Sequence, residues 1–129
     1  MRRTRSKDWV VFLGWQPHPM NTRIDMTYLS GGDAYFGPNY GSTTVNTLSR
    51  RGYGTECTNV HRLFSQLAFT VEMENVIMAA ITEDKKAPKD AAASYLKAHP
   101  DLLGPWLAGV STRDGKDAAT AVRAALGLK

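Results

Sequence analysis

His18, His61, His99 and Cys57 are the side chains best suited to nucleophilic or general-base chemistry in this 129-residue sequence. None stands in a G-x-S-x-G, H-E-x-x-H or C-x-x-C setting, the spacings that bring nucleophile, base or metal to one point. Gly31-Gly32 and the Gly37 to Gly41 stretch lack the lysine and the helix start that a phosphate loop requires. Glu72 and Glu74 lie two apart on an expected helix, so a 3.6-residue turn sends them to different faces and denies them paired acid and base roles. One cysteine excludes an internal disulfide and a multi-thiolate zinc site. The residues predict no enzyme, no cofactor and no metal centre.

A different chemistry is available in Gly14-Trp15-Gln16-Pro17-His18-Pro19-Met20-Asn21. Two prolines stiffen this segment and keep an indole and an imidazole close together. The π-face of Trp15 attracts a cation, worth roughly 0.5–1 kcal/mol when exposed and about 2 when water is excluded. His18 can donate a hydrogen bond to a carboxylate. The pair therefore suits a zwitterion that carries a quaternary ammonium and an acid. An equally weighted reading makes Trp15 a core aromatic and His18 a turn residue.

The elements that must position this loop divide the chain in two. Trp9-Val10-Val11-Phe12-Leu13 is a dense apolar run closed by Gly14 and Pro17, which predicts a buried strand with the loop at its carboxyl end. In open α/β sheets that end is where ligands bind. Residues 24–29 (I-D-M-T-Y-L) alternate with period two, and residues 43–53 carry threonine and valine, giving second and third strand candidates. From Asn59 onward the pattern is helical. Asn59 is placed to cap a helix bearing Val60, Leu63, Phe64 and Leu67, and Thr70 to cap one bearing Met73, Val76, Ile77, Ala80 and Ile81. Pro88 suits a first turn and Pro100 ends that helix. A short helix around Leu103, Trp106 and Leu107 stops at Gly109, and a last one reaches Leu126 before Gly127. The fold class expected is α/β: short buried strands over residues 9–58, then several helices over 59–128. Trp9 and Trp106 are assigned to the core.

Composition adds limits rather than a function. Apolar residues at 43% and charged residues at 22% describe an ordinary globular domain, and the length suits one domain or one lobe. The apolar run from Val10 to Leu13 falls far short of the ~20 residues that span a bilayer. Sixteen basic against twelve acidic residues give +4, but Arg2, Arg3, Arg5 and Lys7 all stand in the first seven positions; without them twelve balance twelve. The calculated pI of about 9.4 is thus an end effect, and no nucleic-acid partner is expected. The opening basic residues precede no apolar region long enough for a secretory signal and no small-residue cleavage site, so no export signal is expected within the sequence.

The motifs carry a family resemblance. V-F-L-G-W-Q-P-H-P-M-N at 11–21, Y-L-S-G-G-D at 28–33, F-G-P-N-Y-G at 36–41, Arg51-Gly52-Tyr53 with Cys57, Asn59-Val60 and Leu63, Met73-Glu74-Asn75, and Trp106-Leu107-Ala108-Gly109-Val110 follow in order. Together they resemble the C-terminal part of the substrate-binding proteins of glycine betaine/choline/proline betaine ABC importers, from about Trp9 to Leu128.

That resemblance implies part of a two-lobed type II periplasmic binding protein. It implies an extracytoplasmic location, a quaternary ammonium ligand and an ABC permease as partners. It implies Trp15 as one wall of an aromatic box, His18 as a carboxylate partner and Asn21 as a brace of the loop. It also makes Cys57 one half of a disulfide whose other half lies near the N-terminus of full-length members. Thr58 and His61 depart from the family's usual proline and glycine, both close to Cys57. The alternative expectation is a small self-associating domain with no transport role.

Overall fold

Thr70 begins the central helix of the structure. Its hydroxyl accepts the Met73 N–H at 3.1 Å, satisfying one of the donors that a helix start leaves orphaned. Glu72 and Glu74 lie in the first turn, near the positive end of the helix dipole. The computed structural model describes residues 8–128. In chain order its helices are α1 (Met20–Arg23), α2 (Asp33–Phe36), α3 (Pro38–Gly41), α4 (Tyr53–Glu56), α5 (Thr58–Gln66), α6 (Val71–Thr82), α7 (Pro88–Ala98), α8 (Leu103–Leu107) and α9 (Ala118–Leu126). The first four are single turns, and a 3₁₀ turn, Pro100–Leu102, leads into α8. The basic N-terminal residues Arg2, Arg3, Arg5 and Lys7 lie outside the described residues.

The core belongs to the C-terminal half. Met73, Leu103, Trp106, Leu107, Val110 and Ala118 are buried together, and Leu63, Leu67, Ile77, Leu96 and Val122 pack against them. Trp106 takes its expected place there, with Phe69 tilted against its ring at 5.5 Å. Burial of such side chains supplies most of the driving force, because each removes roughly 1.5–3 kcal/mol of apolar surface from water. The last helix is closed at both ends. Asp117 accepts the Thr120 N–H at 2.8 Å, and Gly127 turns left-handed at φ 69° so that the Gly127 and Leu128 amides reach back to the Ala124 and Arg123 carbonyls.

Three strand expectations are corrected. Among the described residues no strand forms; the sole pairing is an isolated antiparallel bridge between Ser111 and Asp117. Residues 9–13 pair with no other segment among the described residues, and Trp9, assigned to the core from sequence, is 101% exposed. Residues 43–50 are irregular, and Tyr53 instead opens α4. The α/β expectation therefore holds on its helical side only. The physical reason is that a strand is defined by a neighbour that pairs its N–H and C=O groups. Residues 24–29 make the point. Ile24, Met26 and Tyr28 are half-buried while Asp25, Thr27 and Leu29 are exposed, so the period of two is present without a ladder.

The start of α5 is also corrected. The helix begins at Thr58, after Cys57, and Asn59 does not cap it. Asn59 instead turns its amide to the backbone of Ser111, donating to the carbonyl at 2.7 Å and accepting the N–H at 2.8 Å. This ties α5 to the turn that follows α8. Gln66 adds a second tie by donating to the Trp106 carbonyl at 2.8 Å.

The α9 cap has a pH consequence. Hydrogen bonds from the Thr120 amide, then its hydroxyl, hold the Asp117 carboxyl below the usual carboxylate range. A carboxylate with a depressed folded value stabilises the fold above its unfolded pKa of about 3.9 and loses that contribution as pH falls through the folded value. We expect helical signal from α9 to fray on acidification below about pH 4. Asp117→Asn, which keeps an acceptor but does not titrate, should flatten that part of the profile in amide NMR spectra recorded against pH.

Candidate ligand-binding loop

The loop after residue 13 is organised by what its prolines lack. Pro17 and Pro19 have no N–H, so His18 carries the only backbone donor among those three residues. That N–H donates to Oδ1 of Asn75, at 2.6 Å, across 57 positions of sequence. Asn75 lies on α6 and is buried, and Pro19 is buried beside the loop. The Gln16–Pro17 peptide is cis.

The two rings meet edge to face. Trp15 and His18 have centroids 5.0 Å apart and planes at 66°, a favoured arrangement for π-systems. Trp15 is 55% exposed and so leaves much of its indole open. The imidazole is oriented from its other side. Met20 N–H donates to Nδ1 of His18 at 3.1 Å, so Nδ1 carries no proton and the ring presents Nε2–H as a donor.

Asn21 spans the loop. Its Nδ2 donates to the Trp15 carbonyl at 2.9 Å and to the His18 carbonyl at 2.8 Å, and its Oδ1 accepts the Tyr28 hydroxyl at 2.9 Å. Tyr28 in turn stands 6.1 Å from Tyr40, centroid to centroid. A methyl group added at Gly14 would lie 3.6 Å from the Tyr28 oxygen, ordinary van der Waals contact. Residues 14–21, Tyr28 and Tyr40 thus form one local assembly, fixed to the helical half through Asn75 and an ion pair between Arg23 and Glu83. The ion pair is largely exposed and contributes about 1 kcal/mol at most.

The structure brings Trp15, His18 and Asn21 together and leaves Cys57 elsewhere, half-buried and unbridged between α4 and α5. Among the described residues no carboxylate accompanies His18 in a hydrogen bond, and no cluster of His, Cys, Asp and Glu could hold a metal. A shallow groove of about 470 Å³ opens between α1, α6 and α7, with Ile77, Ala80, Ala91 and Tyr95 on its floor. Neither Trp15 nor His18 lines it, so the groove and the aromatic loop are separate features. The loop joins a π-face to a directed donor, the chemistry suited to a small organic cation with an oxygen function.

Asn75 stands in the Met73-Glu74-Asn75 motif, but the motif assigns it no part in the loop. Its signal was present in sequence: α6 reads V-E-M-E-N-V-I-M-A-A-I-T, apolar on nearly every side after its first turn. A helix of that kind is covered on more than one face, and a lone amide within it needs a partner. Met73 and Asn75, two positions apart, are separated by about 200° around the axis. Both are buried, Met73 in the Trp106 core and Asn75 under the loop.

The fold is similar to that of two solved choline binding proteins. The chain is 55% identical to an ABC-transporter choline binding protein solved in complex with choline, with a TM-score of 0.77 over 88% of this chain and 39% of that one. It is 56% identical to an ABC-transporter choline binding protein in an unliganded semi-closed conformation, with a TM-score of 0.72 over 96% of this chain and 43% of that one. Among curated proteins it is 26% identical to the glycine betaine/carnitine transport binding protein GbuC of Listeria monocytogenes serotype 1/2a (strain 10403S), over 88% of this chain and 36% of that protein. The family model for the substrate binding domain of the ABC-type glycine betaine transport system matches residues 1–98, and the chain belongs to that family. It spans about two-fifths of the length of these relatives.

Removing the Asn21 amide cuts both carbonyl bonds and frees the Tyr28 hydroxyl. Each neutral bond of this kind contributes roughly 0.5–1.5 kcal/mol. Asn21→Ala should therefore loosen residues 14–21 by about 1.5–4.5 kcal/mol while α6 to α9 keep their melting behaviour. Faster amide exchange at residues 18–21, with unchanged exchange in α7 and α9, is the expected result.

Proposed function

We propose that this chain supplies part of the ligand site of an extracytoplasmic, type II solute-binding protein that captures a quaternary ammonium compound and delivers it to an ABC permease. The role is capture and hand-over, without catalysis. Trp15 offers its π-face to the ammonium. His18 offers Nε2–H to the ligand's oxygen function, the carboxylate of a betaine or the hydroxyl of choline. Asn21 braces the loop that carries both. The observation that carries this reading is the exposed Trp15 indole set 5.0 Å from a His18 ring whose donor is fixed. Family membership and the choline-binding neighbours support it. Cys57, with no partner in the chain, fits the role of one half of a disulfide completed by another segment of a full-length protein.

Magnitudes set the expected strength. Micromolar binding needs about 8 kcal/mol at standard state. One indole face provides about 2 kcal/mol when dry, and a charge-assisted bond from His18 roughly 1.5–3. Association must also offset lost translational freedom. The 129-residue chain by itself should bind choline or glycine betaine no tighter than about millimolar. In a complete binding protein that carries this segment, Trp15→Ala should weaken binding tenfold or more. Isothermal calorimetry on both proteins checks this. Micromolar binding by the short chain would place a whole pocket within it, and unchanged affinity in the Trp15→Ala protein would remove Trp15 from the site.

A second reading has its own observation. Val11 is 81% and Leu13 75% exposed beside the fully open Trp9, a contiguous apolar strip whose backbone pairs with no strand among the described residues. Such strips favour self-association. The chain should sediment as a dimer or larger species at tens of micromolar, and charges placed at Val11 and Leu13 should return it to a monomer. A compact monomer across that range would argue against association through this strip.

A further inference from the structure

Asn75 stands out on energetic grounds. It is the one polar side chain buried among the described residues, 5% exposed, on a helix whose other buried member is Met73. An amide in such a place is costly unless it is hydrogen-bonded. A leucine there would pack without that cost and would leave the His18 N–H unpaired. That N–H has no neighbour to take over its role, because prolines flank it on both sides. The two groups therefore answer each other's need, across 57 positions.

The consequence for the site runs through His18. Its backbone is referenced to α6 by Asn75, and its ring by the first amide of α1, which itself packs on α6. Asn21 then carries the position of His18 to Trp15 by joining their carbonyls. We infer that Asn75 is a positioning residue for the ligand site: it holds the Trp15–His18 pair in register with α6 while touching no ligand itself. Its importance for binding rests on the function proposed above; the anchoring does not.

The test uses the whole 129-residue chain with assigned NMR spectra, comparing Asn75→Leu and Asn75→Asp with the parent. Asn75→Asp keeps an acceptor oxygen and Asn75→Leu keeps only volume. Three signals are read: amide exchange at His18, the His18 ring-nitrogen spectrum that reports its tautomer, and the Trp15 indole N–H shift on adding choline chloride to tens of millimolar. In Asn75→Leu we expect His18 exchange to accelerate at least tenfold, the fixed tautomer to become mixed and the choline-induced Trp15 shift to fall by more than half, with far-UV circular dichroism unchanged. Asn75→Asp should restore all three. If Asn75→Leu does not fold, Asn75→Ala is read in the same way. Unchanged exchange and unchanged choline response in the folded variants, with a responding parent, overturn the inference and leave the proposed function standing. A parent whose Trp15 signal ignores choline, while Asn75→Leu still accelerates His18 exchange, overturns choline binding by this loop on its own and leaves the anchoring standing.

Discussion

A single backbone N–H between two prolines ties the Trp15–His18 loop to the helical half of this chain. Proline removes donors from both sides of His18, so the loop has one main-chain donor to give at that point, and Asn75 receives it. Everything local follows from that fixed point. Met20 can orient the imidazole because α1 starts next to an anchored residue, and Asn21 can bridge two carbonyls because the chain between them has already been turned. The same bond makes the helical half indispensable to the loop, since Asn75 lies on α6 and α6 is held by the Trp106 core.

The helices were legible in the sequence because their causes are local. Thr70 and its first-turn acids, Pro88 at a helix start and Gly127 past a helix end each act within a few residues of themselves. Trp106 was legible as core for a similar reason: Leu103 and Leu107 share its stripe. What local causes leave open is partnership. The runs at 9–13 and 24–29 have strand composition, and in the second the faces even alternate in exposure, yet a ladder requires a second segment that the described residues do not provide.

The candidate site divides along the same line. Trp15, His18 and Asn21 lie within seven positions, so their proximity could be read from spacing and stiffness alone. Asn75 and Asn59 could not be placed this way. Each satisfies a backbone group more than fifty positions distant, and no periodicity announces which of several asparagines will do so. Asn59 shows the hazard directly: its position before a helical pattern favours a cap, and the structure uses it to read the Ser111 backbone. A polar side chain near a helix start has two possible employers, and only tertiary structure selects between them.

Helix α6 is buried on two sides about 200° apart, with the core against Met73 and the loop against Asn75. Its amides cannot open while both coverings remain in place, and opening it uncovers both at once. Opening α6 therefore exposes loop and core together, although they lie in different halves of the sequence, whereas the loop can loosen with α6 still in place. Substitutions on opposite faces of α6 are thermodynamic neighbours despite having no atom in common. Their effects should not add as those of independent sites do, since the loss of either covering changes the state in which the other is measured.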